Sequence, residues 1–235
     1  MRVIAGEARG RPLAGPAGPQ TRPTSDKVKG ALFSMLETLL AAQRADIDEE
    51  IGPGSAELWA DLAILDLYAG TGALGIEALS RGAAWCDFIE ANPAARRIVE
   101  RNLRVTGLEE RGRVIGLDAE KVMRGAGWAS LHRPYSLVVL DPPYAERDVG
   151  KRLRELASVE LLAADALVAV EHSRRLELGA AYAAEDGVGV TRSSGTGALV
   201  EVRQRRHGDT VVSIYRFTAT GRGEGIDGDH RDLSR

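Results

Sequence analysis

The chain has 235 residues, 44% hydrophobic and 28% charged, with a net charge of −3 and one cysteine. That length suits one domain of good size, or one domain with an appendage. No apolar run reaches about 18 residues, so no transmembrane helix is expected, and the lone Cys86 excludes an internal disulfide or a multi-cysteine metal site.

Met1–Glu7 lacks the apolar core of a signal peptide, and a reducing cytoplasm suits the cysteine usage. Cys86 lies in an apolar run and reads as a buried small side chain. Charge is uneven along the chain. The first 29 residues carry Arg2, Arg9, Arg11, Arg22, Lys27 and Lys29 against Glu7 and Asp26. Residues 46–61 carry Asp46, Asp48, Glu49, Glu50, Glu57 and Asp61 with no Lys or Arg. A basic arm on a mildly acidic body fits a polyanion partner, and it fits an ordinary solvated surface equally well.

In chain order, Arg2–Ala5 and Arg11–Ala14 are expected to form two short strands of a hairpin. Gly15–Pro23 is a Gly/Pro loop. Thr24 or Ser25 caps a helix whose apolar positions Val28, Leu32, Met35, Leu36, Leu39 and Leu40 recur at helical spacing to about Ala42. Asp46–Ala60 is expected to be an exposed acidic insertion. From residue 62, apolar runs alternate with helical segments. The strands are Ala63–Tyr68, Trp85–Glu90, Arg113–Leu117, Tyr135–Leu140 and Ala166–Glu171; the helices are Gly72–Arg81, Pro93–Thr106, Ala119–Gly125 and Arg147–Ala157. Such alternation predicts an α/β, doubly wound, mostly parallel sheet with helices on both faces. Leu199–Arg205 and Thr210–Phe217, joined by Arg206-His207-Gly208-Asp209, close it as an antiparallel hairpin, giving seven strands. The four histidines, His132, His172, His207 and His230, are expected at the surface.

Gly70, Gly72 and Gly75 follow the first strand of this alternation in the spacing G-x-G-x-x-G, with Glu90 at the end of the next. Glycine permits the tight turn and a close ligand approach. The carboxylate suits two ribose hydroxyls. The pattern alone fits either NAD or S-adenosylmethionine. Asp66, inside the strand before the turn, and Asp118, after the third strand, favour S-adenosylmethionine, whose cationic groups and adenine amine they can meet. Each also has a plain structural use, Asp66 in ordering the turn and Asp118 as a helix N-cap.

Asp141-Pro142-Pro143-Tyr144 ends the fourth strand. Proline fixes φ, removes a donor and extends the preceding residue. The Asp141 carboxylate and the Pro142 carbonyl are two acceptors on a stiff segment, matched to the two hydrogens of an exocyclic amine. Tyr144 offers a face on which a base stacks. Taken alone, the tetrapeptide also fits a Pro-rich turn.

These motifs resemble the class I methyltransferases that modify exocyclic amines. Arg2-Val3-Ile4-Ala5-Gly6, Gly10-Arg11, Arg22-Pro23-Thr24, Asp26-Lys27-Val28, Ala31-Leu32-Phe33, Gly75–Ala83 and His207-Gly208-Asp209-Thr210 narrow the resemblance. It is to the bacterial 16S ribosomal RNA guanine-N2 methyltransferases of the RsmD type, over roughly 1–44 and 62–217. The resemblance implies a monomer that methylates one guanine of small-subunit rRNA, within a subunit or an assembly intermediate. It implies that Asp141, Pro142 and Tyr144 orient the guanine. Asp66, Tyr68, Gly70, Gly72, Glu90 and Asp118 would bind S-adenosylmethionine, and Arg2, Arg9, Arg11, Arg22, Thr24 and Lys27 would contact RNA. The expected organisation is an N-terminal extension over 1–44, an insertion over 45–61, a methyltransferase domain over 62–218 and a Gly-rich tail over 219–235. The residues themselves leave open an adenine-N6 methyltransferase and a non-catalytic RNA-binding assembly factor; a nicotinamide-dependent oxidoreductase is disfavoured by the terminal hairpin and by the lack of an evident proton-relay residue. They also leave open that the N-terminal hairpin is a lid over the cofactor.

Overall fold

Period-two burial on both faces decides the architecture. In Tyr135–Leu140, Leu137 and Val139 face one apolar cluster, and Val138 and Leu140 face the other. A strand covered on both sides reads as a continuous apolar run, as in parallel sheets sandwiched between helices. A computed structural model describes residues 1–15, 25–45, 52–143, 148–184 and 197–219. Tyr144, Arg22, Thr24, the 187–196 stretch and the tail from residue 220 lie outside the described residues.

The sheet contains β1 (Ala63–Asp66), β2 (Trp85–Ile89), β3 (Gly112–Ile115), β4 (Tyr135–Leu140), β5 (Leu162–Ser173), β6 (Ala181–Ala183), β7 (Gly197–His207) and β8 (Thr210–Ala219). Their order is β3-β2-β1-β4-β5-β8-β7-β6. The first five run parallel; β8, β7 and β6 join antiparallel. Among the described residues there are thus eight strands, not seven. Ala181–Ala183 is too short to show a period in the sequence, and Tyr182 holds it by packing edge-on against Tyr215.

Helices α1 (Asp26–Arg44), α2 (Ala73–Ser80) and α3 (Pro93–Thr106) cover one face, and α4 (Ala119–Met123) and α5 (Val149–Ser158) the other. Ser25 is the cap of α1, its hydroxyl accepting from the Val28 amide at 3.2 Å. Asn92 caps α3, with Pro93 at its first position, where the missing N–H has no cost.

Three expectations need correction. The N-terminal residues form a single bridge, Arg2 to Pro12, not two strands. Pro12 has no N–H to give, and the amides of Ile4 and Ala5 donate instead to the Glu77 carboxylate at 2.8 and 3.0 Å. The acidic stretch is not wholly an exposed insertion, because Leu58 and Trp59 are fully buried and Trp59 packs on Phe33. Burial of such side chains contributes roughly 1.5–3 kcal/mol each, which surrounding charges concealed in the sequence. His172 is buried, with Nε2 3.1 Å from the Ser213 hydroxyl, and burial lowers its pKa. Cys86 is buried as expected, and burial pushes its thiol well up.

The N-terminal segment is fastened along α2 and α3. Lys29 and Glu77, both fully buried, pair at 3.1 Å, and Lys29 also donates to the Arg2 carbonyl at 2.7 Å. Buried charges are tolerated when every partner is present; Glu77 takes Ile4, Ala5 and Arg81 as well. Asn102 accepts from the Ala14 amide at 2.8 Å and donates to the carbonyls of Ala14 at 3.0 Å and Thr71 at 2.8 Å. These bonds fasten the described part of the segment to α2 and α3.

Candidate active site

The order β3-β2-β1-β4 places a reversal of direction between β1 and β4. In open α/β sheets the ligand crevice lies outside the carboxyl ends of the strands at that point. Four acidic residues of the sequence converge there. Asp66 ends β1, Glu90 follows β2, Asp118 follows β3 and Asp141 follows β4.

The turn between β1 and α2 is built on glycine. Gly70 and Gly72 have φ of 55° and 76°, in the left-handed region that favours glycine. Gly75 serves packing instead. A Cβ there would stand 2.3 Å from Phe88 Cε1 and 2.7 Å from Cys86 Sγ, so helix α2 lies directly on β2.

Carboxylates hold this turn from both sides. Asp66, only 1% exposed, accepts from the Gly75 amide at 3.0 Å. It lies behind the loop and orders it from within. Glu90 accepts from the Gly70 amide at 2.8 Å and the Asn92 amide at 2.7 Å, bridging the turn to the start of α3. Asp118 caps α4 by accepting from the Glu120 amide at 2.8 Å. It lines a cleft of about 430 Å³ with Ala91, Gly116, Glu120, Lys121 and Arg124. Arg96 donates to the Ala91 carbonyl at 3.0 Å and packs against Gly116, two residues that line this cleft; no motif or spacing along the chain marks it. Tyr68 follows β1, and its hydroxyl accepts from Arg152 Nε of α5 at 3.2 Å.

Electrostatics join the groups. Burial, opposed by the Gly75 hydrogen bond and reinforced by the charges of Asp141 and Glu90, pushes Asp66 up from 3.8 to about 7. Several carboxylates around one backbone turn form a negative pocket that a cation would relieve. The residues fit S-adenosylmethionine on three counts. Among the described residues, space is open where a Gly70 side chain would be, the Tyr68 carbonyl being 3.9 Å away. Asp66, Asp141 and Glu90 lie close enough to act on one another electrostatically, which makes the surroundings of the turn favourable to a sulfonium and an ammonium. The Asp118 cleft has room for a nucleoside.

The basic arm divides. Ala14 and Met1 lie by Thr71 at the glycine turn, but the 6–10 turn lies against Ser80 at the far end of α2. Arg9 is exposed there, and Arg11 donates to the Val105 carbonyl at the end of α3 at 2.9 Å. The structure therefore does not bring Arg9 and Arg11 to the crevice; following α2 carries the chain away from it. Arg2 pairs with Asp26 at 3.4 Å near the start of α1. Lys27 lies close enough to His207, at the tip of the β7–β8 hairpin, to hold its pKa down together with burial and Arg205.

Comparison with known proteins accords with this arrangement. The family described as "Conserved hypothetical protein 95" matches residues 1–216. "Ribosomal RNA small subunit methyltransferase D" of Escherichia coli (strain K12) is 32% identical over 171 residues, 73% of this chain and 74% of that protein. The chain belongs to this family, the RsmD family. "Putative rRNA methyltransferase YlbH" of Bacillus subtilis is 33% identical over 216 residues, 92% of this chain and 98% of that one. Among solved structures, "Putative methyltransferase yhhF from Escherichia coli" is 27% identical with a TM-score of 0.64, covering 94% of this chain and 99% of its own. The RsmD-family fold is thus the Rossmann-like fold of class I methyltransferases, extended by its edge strands.

Proposed function

We propose that this protein transfers the methyl group of S-adenosylmethionine to the exocyclic N2 amine of one guanine in 16S ribosomal RNA. It is an S-adenosylmethionine-dependent ribosomal RNA methyltransferase. We place its action in the cytoplasm, as a monomer, on a small ribosomal subunit or an assembly intermediate. Residues 62–218 serve as the methyltransferase domain and 1–44 as its extension. The observation that carries the reading is the nearness of Asp141, following β4, and Glu90, following β2, to Asp66 beneath the glycine turn.

S-Adenosylmethionine, when bound, supplies an electrophilic methyl on a sulfonium. Glu90 and the Gly70–Gly72 backbone would hold its sugar and amino-acid ends, and Asp118 would take its adenine amine. The Asp141 carboxylate and the Pro142 carbonyl accept the two N2 hydrogens, turning the nitrogen lone pair out of conjugation and toward the methyl. In-line displacement would leave the C–S electron pair on the departing thioether, so positioning and electrostatics would supply the rate. The methylated nitrogen, then a cation, would pass its proton to the Asp141 carboxylate that already holds it. Tyr144 stacks on the base, a contact worth roughly 1–3 kcal/mol. Because the base must leave its stack to arrive, a loop or single-stranded guanine is the substrate.

The test is methyl transfer from labelled S-adenosylmethionine to small subunits from a strain lacking this protein, followed by digestion to nucleosides. Label in N2-methylguanosine is expected. Label in N6-methyladenosine, or none, would overturn the assignment.

A further inference from the structure

With Arg9 and Arg11 at the wrong end of the sheet, the crevice needs another surface for the nucleic acid that carries the target base. The β7–β8 hairpin supplies one. Its sequence Arg203-Gln204-Arg205-Arg206 is exposed throughout. Register fixes which way each side chain faces. Arg203 pairs with Ile214 and Arg205 with Val212, and both partners belong to the core on the α1 side. Paired residues of an antiparallel ladder share a face, so Arg203 and Arg205 project on that side, joined by His207 and by Lys27 of α1.

Among the described residues, neighbouring acids do not neutralise this strip. Asp26 is held by Arg2, and Asp209 by Arg174 at 2.9 Å. Glu201 pairs with Tyr215 on the opposite face and accepts from Gln204 there. Glu171 is buried on β5. Neither Arg203 nor Arg205 has an ion pair among the described residues, and the His207 Nε2, buried at the tip, has no hydrogen-bond partner. Cations crowded without counter-charge are stable on a surface that receives a polyanion.

The strip is level with the site. β4 sets Leu140 beside Val170, which puts Asp141 level with Glu171; β5 and β8 then carry Ser173 to Thr210 and on to His207. Three inter-strand steps of about 4.8 Å separate β4 from β7, roughly 14 Å in all. Arg203 and Arg205, two residues apart, are about 7 Å apart along the strand, a span of about two phosphates at the ~3.4 Å rise of one strand. The guanidinium fork suits phosphate oxygens.

We propose that the α1-facing side of the β7–β8 hairpin, through Arg203, Arg205 and Lys27, docks the phosphate backbone flanking the target guanine while the base itself enters beside Asp141. This rests on the ribosomal RNA reading above. The test measures binding of the protein to small ribosomal subunits across a salt series, methyl transfer to them, and S-adenosylmethionine affinity by calorimetry. The variants are Arg203→Ala/Arg205→Ala and, as a far-end control, Arg104→Ala, exposed in the last turn of α3. The double variant is expected to bind subunits roughly tenfold or more weakly, with a salt slope shallower by about 1.4–1.8 for two lost phosphate contacts. Its cofactor affinity should be unchanged, and Arg104→Ala should behave as the wild type. Subunit binding and slope unchanged in the double variant, with transfer intact, would overturn the docking surface and leave the methyltransferase reading standing. Lost affinity at an unchanged slope would put a protein partner on the strip and overturn the proposal, as would an equal loss in Arg104→Ala. Wild type that binds subunits through these arginines but transfers no methyl would keep the surface and overturn the assigned reaction. Wild type that binds no subunit overturns both.

Discussion

Asp66→Asn is expected to change how stability depends on pH. Asp66 is enclosed behind the glycine turn and titrates near 7 instead of 3.8, because burial and the Asp141 and Glu90 charges outweigh the Gly75 hydrogen bond. Between those values the folded protein holds a proton that the unfolded chain releases, so stability falls as pH rises through the window. For a shift from 3.8 to about 7, the loss between pH 5 and pH 8 comes to about 3 kcal/mol. Asparagine keeps an oxygen that accepts from the Gly75 amide but never ionises. Relative to the wild type without added ligand, the variant should gain about 3 kcal/mol across that range, or about 6–12 °C in Tm for a domain of this size. Denaturant unfolding at a series of pH values measures the difference, and contributions from other groups cancel between the two proteins. Parallel curves from pH 5 to pH 8 would refute the placement of Asp66 in an acidic, desolvated site.

Two further substitutions probe the site and its scaffold. Asp141→Ala removes one of the two amine acceptors and should lower methyl transfer by about 10²–10³, the usual loss for one positioned electrostatic group, while S-adenosylmethionine affinity by calorimetry changes little; equal loss of both would reassign Asp141 to the cofactor. Gly75→Ala drives a methyl to within 2.3 Å of Phe88 and 2.7 Å of Cys86. Overpacking of this kind typically destabilises by about 1–3 kcal/mol, read as a lower denaturation midpoint, and an unchanged midpoint would mean that α2 can lift from β2.

Sequence alone carried what depends on neighbours along the chain. The strand–helix alternation from Ala63, the helix Pro93–Thr106, the Gly70–Gly75 turn and the acids at successive strand ends are all local patterns, and each is written in a few adjacent residues. The tertiary structure decided what depends on residues distant in sequence. Leu58 and Trp59 are buried because Phe33 lies beneath them, 26 residues from Trp59. Ile4 and Ala5 leave a strand ladder because Glu77 offers a better acceptor 72–73 residues on. His172 is buried because β8 covers its edge. The basic arm looked continuous along the chain, yet packing along α2 sends Arg9 and Arg11 to one end of the sheet and leaves Lys27 at the other. Strand register then brings Arg203 and Arg205 beside Lys27, and no local spacing encodes that meeting, because side-chain position in space follows from which strands pair.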